Sequence, residues 1–128
     1  MKISLLISTY NWPQALELVL LSVEKLTVKP HELLIADDGS TAETTDLINA
    51  FKKRSSIAVC HLWHEDKGFK RSEILNKAIA QSTSDYIIQT DGDCILHPSF
   101  VKDHISLAQK NKYLYGSRVS INEEVSPT

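Results

Sequence analysis

Cysteine is scarce in this chain of 128 residues, which argues against a fold held together by disulfide bonds. The two cysteines, Cys60 and Cys94, are far apart in the sequence and do not form a C-x-x-C pair. A small secreted scaffold needs more cysteines than this. We therefore expect two reduced core thiols in a cytoplasmic protein, with the inner face of the membrane as the alternative location.

The chain also lacks a strong excess of charge and a long apolar run. Its formal net charge is −2, so no basic field predicts nucleic-acid binding, and no polybasic run predicts an acidic membrane surface. The apolar run near the amino terminus, Ile3–Ser8, is too short to span a membrane, and no small-residue cleavage site follows it. We interpret this run as a strand, and we expect no transmembrane segment.

Two common phosphate-binding patterns are absent from the sequence. There is no G-x-G-x-x-G after the first apolar run and no G-x-x-x-x-G-K-[ST] anywhere in the chain. Both patterns use glycine-rich backbone to cradle phosphates at the start of a helix. Neither a dinucleotide-dependent oxidoreductase nor a P-loop ATPase is therefore supported.

What the chain does have is an alternation of apolar runs and amphipathic stripes. Four runs are typical of buried strands, and a further short strand or pair of strands is predicted near the end of the chain: Ile3–Ser8, Glu32–Asp37, Ile57–Trp63, Asp85–Thr90 and Tyr113–Ile121. Such an order predicts an α/β fold, a Rossmann-like and mostly parallel sheet with helices on both faces.

Four helices are predicted between and after these strands. The first follows Pro13, and its apolar stripe is Leu16, Val19, Leu20, Val23 and Leu26. The second is predicted to start with a capping box of Ser40 and Glu43 and to bury Leu47, Ile48 and Phe51. The third is marked by Leu75, Ala78 and Ile79, and the fourth by Phe100, Val101, Ile105 and Ala108 after Pro98.

Ligands of parallel α/β sheets bind outside the carboxyl ends of the strands, so the candidate site residues are those that follow each strand. They come from four loops and from the predicted start of the third helix: Ser8, Thr9, Tyr10, Asn11, Asp37, Asp38, Gly68, Lys70, Arg71, Asp91, Gly92 and Asp93.

Asp91 and Asp93 form a D-x-D pattern at the end of the fourth run. Two carboxylates about 6 Å apart repel by about 3 kcal/mol at an effective dielectric near 20, a cost that a bound cation removes. Mg²⁺ or Mn²⁺ prefers hard oxygen ligands and commonly uses one or two carboxylates. Asp93 is the predicted metal ligand. Asp91 is predicted either to hold the metal, directly or through a water molecule, or to contact a ribose.

Lys67, Lys70 and Arg71 lie near the predicted start of the third helix. Cations oppose the helix dipole there, but a phosphate at the same place would be favoured by both the dipole and the basic side chains. The alternative is a solvated basic turn balanced by Glu65 and Asp66. Together with the carboxylates, the basic residues suggest a diphosphate bridged by a cation.

Four stretches of the chain resemble the nucleotide-binding, amino-terminal half of the family 2 glycosyltransferases, which have the GT-A fold. They are ISLLISTYNWP, ELLIADDGSTAET, HEDKGFKRSEILNKAIAQSTSDYI and QTDGDCILHPSF, and they span nearly the whole chain. They are most similar to bacterial chondroitin-polymerase-like and surface-polysaccharide transferases. The resemblance implies transfer of a sugar, with inversion, from a UDP-sugar to a hydroxyl of a saccharide or lipid-linked saccharide, with Mn²⁺ or Mg²⁺ as cofactor.

The resemblance also implies roles for individual residues. Ser8 and Tyr10 would hold the uracil base, with Tyr10 stacking on the ring, and Asp38 would accept a hydrogen bond from the base. Lys70 or Arg71 would lie near the donor diphosphate or its sugar, and the D-x-D pattern would bind the metal and the donor. Trp12 is expected to serve packing, and His64 is interpreted as a surface or core histidine.

The resemblance supplies no general base. In similar enzymes the base is an acidic residue of the acceptor-binding half, and the only late carboxylates here, Glu123 and Glu124, are expected to be solvated. We therefore expect residues 1–128 to be a nucleotide-sugar-binding domain truncated before the acceptor half, inactive or weakly active by itself. An exposed edge strand would favour a homodimer.

Two other functions are left open by the sequence. One is a Mg²⁺-dependent phosphoryl-transfer protein, although such proteins need an aspartate nucleophile at the end of an early strand, and the first strand here ends in Ser-Thr-Tyr-Asn. The other is a nucleotide-binding module that does not catalyse a reaction.

Overall fold

A computed structural model describes residues 2–68 and 70–111, which alternate four strands with four helices. The elements in chain order are β1 (Ile3–Thr9), α1 (Pro13–Glu24), β2 (Glu32–Asp37), α2 (Ala42–Arg54), β3 (Ala58–Trp63), α3 (Arg71–Gln81), β4 (Tyr86–Asp91) and α4 (Phe100–Asn111). Each of the first four predicted strands is present, with its ends shifted by at most one residue. The strand predicted over Tyr113–Ile121 lies outside the described residues.

All four strands are parallel, in the order β3-β2-β1-β4. The chain steps from β1 to β2 and β3 in one direction and then returns to place β4 on the other side of β1. This reversal makes the carboxyl ends of β1 and β4 a topological switch point, the place where such sheets open a crevice for ligands. Ser8 and Asp91 are register partners there.

Helices cover both faces of the sheet, as predicted. Alternate residues of β1 point to opposite faces, so Leu5 packs with α1 and α2 whereas Leu6 packs with α3. The larger core also takes in Val101 of α4. Within the described residues β3 and β4 are the edge strands, and a homodimer through an exposed edge stays a prediction.

Helix α2 does not begin with the predicted capping box. Its N-cap residue is Thr41, and no side chain caps the helix. Ser40 instead joins two loops, because its hydroxyl accepts a hydrogen bond from the Asn11 N–H (2.7 Å) and its own N–H donates to Asp37 Oδ1 (2.8 Å). The tertiary contact with Asn11 thus outweighs the local capping preference.

Two predicted apolar positions differ from their assignments. Helix α1 ends at Glu24, so Leu26 is buried beyond the helix rather than on its stripe. In α3 the buried stripe is Ile74, Leu75 and Ala78, and Ile79 lies beside this stripe with 44% of its surface exposed. The helices have 11 to 13 residues, and none in the described part of the chain is long and apolar enough to cross a bilayer.

The carboxylate of Glu32 gathers several hydrogen bonds at the amino-terminal edge of the sheet. Glu32 Oε2 accepts hydrogen bonds from the hydroxyls of Ser4, Ser82 and Ser84 and from the Thr83 N–H. Partial burial raises the pKa of Glu32, but these donors act in the opposite direction and leave the pKa below its ordinary value. The contacts join β1, β2 and the segment between α3 and β4.

Candidate functional site

A cleft of about 230 Å³ opens at the carboxyl edge of the sheet, over the switch point between β1 and β4. Its walls come from the ends of β1, β2 and β4 and from the start of α3: Ser8, Thr9, Tyr10, Trp12, Ala36, Asp38, Arg71, Ile74, Asp91, Gly92 and Asp93. Eight of these eleven residues are candidates from the sequence. The strand ends therefore bring the predicted residues of three separate loops into one cavity.

Arg71 and Asp91 meet in this cleft. Arg71 is the first residue of α3, and its Nη2 donates to Asp91 Oδ1 and lies 3.3 Å from Ser8 Oγ. The Ser8 hydroxyl donates to the same Asp91 oxygen at 3.1 Å. The side chains of Arg71 and Asp91 are 35% and 27% exposed, so the ion pair is accessible from the cleft. The basic residue predicted to hold phosphate thus contacts the acidic residue predicted to hold metal.

Gly92 fixes the D-x-D segment against the end of β1. Its N–H donates to the carbonyl oxygen of Ser8, and a Cβ atom added at Gly92 would lie 2.7 Å from that oxygen and 3.1 Å from Thr9 Cβ. Such a contact with backbone is closer than van der Waals packing allows. Glycine is therefore required for Asp91 and Asp93 to stand where they do.

Carboxylate oxygens of Asp91 and Asp93 and the sulfur of Cys94 lie within 4.8 Å of one another. Cys94 is fully buried, as expected, and burial raises the pKa of its thiol, which donates to Asp93 Oδ1 across 3.6 Å. A protonated thiol is a poor metal ligand, whereas the two carboxylates are the hard oxygen donors that Mg²⁺ and Mn²⁺ prefer. The two carboxylates therefore fit a hard divalent cation.

Asp37 and Asp38 are both buried, but only Asp38 reaches the cleft. Asp38 Oδ1 contacts His64 Nε2, and Asp38 Oδ2 accepts a hydrogen bond from the Lys70 N–H at 3.0 Å. Asp37 Oδ2 lies 2.8 Å from His61 Nε2, and its other oxygen accepts the Ser40 N–H. Each of these two aspartates, at and just after the end of β2, is therefore held by a histidine from β3 or the loop after it.

Four of the predicted residues support the cleft from behind or stand apart from its lining. Asp37 is one of them, and Lys70 contributes its backbone N–H to Asp38. Asn11 has a positive φ of 45°, and its side-chain oxygen accepts the Thr41 N–H at 2.9 Å, which ties the first loop to the second. Gly68 is exposed at a φ of +89° and donates its N–H to Asp66.

Tyr10 and Trp12 form the aromatic side of the cleft. Their exposed fractions are 48% and 46%. The Tyr10 hydroxyl donates to Asp66 Oδ2 at 2.6 Å, and this hydrogen bond raises the pKa of Tyr10. Trp12, which is expected to serve packing, lies directly before α1 and is half exposed in the wall of the cleft.

Asp66 reaches Tyr10 because the third loop lies directly over Gly39 of the second. Gly39 has a φ of +94°, and a Cβ atom there would lie 2.6 Å from the Asp66 Cα. A larger residue would therefore push the third loop away. The close approach of the two loops places Asp66 within reach of the aromatic side of the cleft.

Sequence reasoning missed four residues of the site. Trp12, Ala36 and Ile74 line the cleft, and His64 holds Asp38. Ile74 comes three residues after Arg71, so helical spacing could have placed both on one side of α3. His64 follows β3 directly, but its pairing with Asp38 depends on the lateral position of β2, which the sequence does not give.

Comparison with known proteins gives a family and a set of relatives. The model described as glycosyl transferase family 2 matches residues 4–128. The poly-beta-1,6-N-acetyl-D-glucosamine synthase of Staphylococcus aureus strain COL is 31% identical over 94 residues, which are 73% of this chain and 22% of that protein. The aligned part of this chain therefore spans about a fifth of the relative's length.

Solved structures share the fold. The crystal structure of S. aureus TarS 1-349 in complex with UDP-GlcNAc has a TM-score of 0.75 and 23% identity and covers 88% of this chain and 32% of that one. Mannosyltransferase PcManGT from Pyrobaculum calidifontis, in complex with GDP-Man and Mn²⁺, has a TM-score of 0.74 and 18% identity. The match covers 84% of this chain and 32% of that one. At these identities the likeness is one of architecture.

Proposed function

This chain belongs to glycosyl transferase family 2, and from that membership we propose that it is the donor-binding part of an enzyme that transfers a sugar from UDP-sugar. The observation that carries the proposal is the cleft at the switch point, which joins an aromatic side, a buried carboxylate and an acidic pair with an arginine. These groups suit the base, ribose and diphosphate of a nucleotide.

The base is proposed to lie between the aromatic side of the cleft and Asp38. Tyr10 and Trp12 offer flat apolar surface, and Asp38 is a hydrogen-bond acceptor held in place by His64 and the Lys70 N–H. Uracil carries an imide N–H that a carboxylate accepts, so these groups are compatible with UDP. TarS is described with UDP-GlcNAc and PcManGT with GDP-Man, so relatives of this fold include binders of different bases.

The diphosphate is proposed to lie over Asp91, Asp93 and Arg71. The two aspartates would hold Mn²⁺ or Mg²⁺, which when bound stabilises negative charge on the leaving nucleotide. Arg71 stands at the start of α3, where the helix dipole also favours an anion. The PcManGT structure, which contains Mn²⁺ together with a nucleotide sugar, supports a divalent cation in this fold.

The acceptor is proposed to be a hydroxyl of a saccharide or lipid-linked saccharide, and the transfer to invert the anomeric centre. The poly-N-acetylglucosamine synthase relative supports a polysaccharide product. Such a transfer needs a general base, and among the described residues each carboxylate that lines the cleft already has another role in this proposal. We therefore propose that this chain binds donor weakly and does not transfer sugar efficiently by itself.

A phosphoryl-transfer reaction is less compatible with the site. It would need an exposed aspartate nucleophile, and Asp37 is fully buried with hydrogen bonds to both of its oxygens. Asp91 is engaged by Arg71 and Ser8. A binding module without catalysis has the same cleft and is distinguished by measuring turnover.

Calorimetry with UDP, GDP and ADP, each with and without Mn²⁺, tests the proposal. We expect UDP to bind most tightly and only weakly when the metal is omitted. Asp93→Ala should remove the metal dependence, because it deletes one of the two carboxylate ligands. Asp38→Ala should weaken the binding of UDP about tenfold or more, as expected for a lost hydrogen bond to a buried charged group. The binding of pyrophosphate should be weakened much less.

The exposed ion pair between Arg54 and Glu24, far from the cleft, provides the control. Arg54→Met should leave UDP binding unchanged. Equal binding of UDP to the wild-type protein with and without Mn²⁺ would contradict the metal site, and equal binding of the three nucleotides would contradict the role of Asp38.

A further inference from the structure

Arg71 occupies the carboxylate that the cation is proposed to use. Its Nη2 donates to Asp91 Oδ1, and the Ser8 hydroxyl donates to the same oxygen while lying 3.3 to 3.4 Å from the guanidinium nitrogens. The three side chains thus form a closed triangle of contacts. A divalent cation that binds Asp91 must share this oxygen with Arg71 or displace it.

The charges of the site explain why sharing is unfavourable without a nucleotide. Asp91, Asp93 and Arg71 carry a formal charge of −1 together, so a divalent cation would make this cluster positive, and Asp38 on another wall of the cleft would bring the whole lining only to neutrality. The cation would also place two positive groups against one partly buried carboxylate, where solvent screens their repulsion poorly. A nucleoside diphosphate removes the conflict, because its oxygens can accept from the guanidinium and bind the cation together.

Arg71 needs no rearrangement of the backbone to change partners. It is the first residue of α3, and both it and Asp91 line the same cleft. Its side chain is one-third exposed, so the guanidinium can turn from the carboxylate toward the space above the helix start. Anions are favoured in that space by the amino-terminal end of the helix.

We propose that Arg71 is the counter-ion of Asp91 in the ligand-free site and moves to the donor diphosphate when the divalent cation takes its place on Asp91. Cation and nucleotide then bind cooperatively, each raising the affinity of the other by the same factor. This inference rests on the proposed function, since it assumes that both ligands use the cleft.

Titration of Mn²⁺ followed by the electron paramagnetic resonance signal of the free ion tests it, without and with saturating UDP, once the Mn²⁺ bound by the same concentration of UDP without protein has been subtracted. In the wild-type protein we expect UDP to raise the Mn²⁺ affinity about tenfold or more, a typical size for coupling between sites. In Arg71→Met the apolar chain is kept and the charge is removed. Mn²⁺ alone should then bind several-fold more tightly, and the effect of UDP should fall below about threefold.

Arg54→Met is the matched control, because it removes an arginine from another carboxylate ion pair at the opposite edge of the sheet and should leave the coupling unchanged. Circular dichroism and thermal melting establish that the variants fold. Arg71→Gln, a smaller polar replacement, gives the same readout if Arg71→Met does not fold.

Each outcome distinguishes the inference from the proposed function. If wild-type protein binds both ligands but Arg71→Met or Arg71→Gln binds Mn²⁺ alone no more tightly and keeps full coupling, the exchange of partners by Arg71 is wrong and the donor site stands. If the wild-type protein binds neither Mn²⁺ nor UDP, the proposed function itself fails.

Discussion

At the scale of single residues, Asp37 and Asp38 are neighbours in the chain but have different surroundings and contacts. Asp38 contributes to the wall of the cleft, whereas Asp37 is fully buried and fastens the Ser40 N–H and His61. Successive residues of a strand point to opposite faces, so adjacent identical side chains at the end of β2 meet different surroundings. The sequence shows two equivalent acids, and only the packing around them separates the one in the wall of the cleft from the one that supports it.

Asp37→Ala should therefore reduce stability with little direct effect on the ligand. It leaves the Ser40 N–H and His61 without their carboxylate partner, and each buried polar group left unpaired costs about 1–3 kcal/mol. Urea unfolding should show this loss, and UDP affinity of the folded protein should stay within about threefold of wild type. Asp38→Ala should show the larger loss of affinity. A reversed order of the two effects would contradict the assignment.

The residues that could be predicted at the site are those whose chemistry is visible in the loops after the strands. Asp91, Gly92 and Asp93 could be predicted as candidate site residues from the D-x-D pattern, and the structure places all three at the cleft. Trp12 also lines the cleft and is not among the candidates, because the proline beside it indicates packing. The pairing of Arg71 with Asp91 depends on β4 lying beside β1, and nothing in the local sequence reports that neighbour.

At the scale of elements, periodicity predicted all four strands and all four helices of the described chain. Buried parallel strands are continuous apolar runs, which end sharply at polar loops and are easily found. The buried faces of the helices were predicted less accurately, because one apolar residue can lie beside the buried stripe, as Ile79 does in α3. The start of α2 was misplaced by one residue because Ser40 is used by a neighbouring loop.

Helix α1 offers a matched pair of leucines to test which face is buried. Leu16 is fully buried in the larger core, whereas Leu18 is 49% exposed. Leu16→Ala should lower the free energy of unfolding by about 2–5 kcal/mol, because it leaves a cavity under the helix. Leu18→Ala should change it by about 0.5 kcal/mol or less. Denaturant unfolding measures both, and equal losses would contradict the orientation of α1.

At the scale of the whole molecule, the two edges of the sheet are specialised. The carboxyl edge opens into the cleft, and the amino edge is closed by the four hydrogen bonds to Glu32. The order of strands could not be predicted from the sequence, because parallel runs of similar composition do not indicate their neighbours. That order nevertheless determines which strand ends meet in the cleft.

The hydrogen bonds to Glu32 predict an acid sensitivity of the fold. Because the folded-state pKa of Glu32 lies below its ordinary value of 4.5, its contribution to stability is present above about pH 4.5 and is lost as the pH falls through the folded-state pKa. Glu32→Gln should destabilise the protein at pH 7 and flatten the fall in stability below pH 4.5. Urea midpoints between pH 3 and pH 7 measure this, and parallel curves for the two proteins would contradict it.

The position of β4 beside β1 has a consequence for how the protein is made. Ser8 is synthesised before its partner Asp91, which follows it by 83 residues. A nascent polypeptide that has been synthesised only through β3 can pair three strands, but its acidic pair does not yet exist. Contacts between such distant residues form late and slowly. A ligand of the cleft therefore cannot assist the early steps of folding, because the cleft is complete only after β4 has paired with β1.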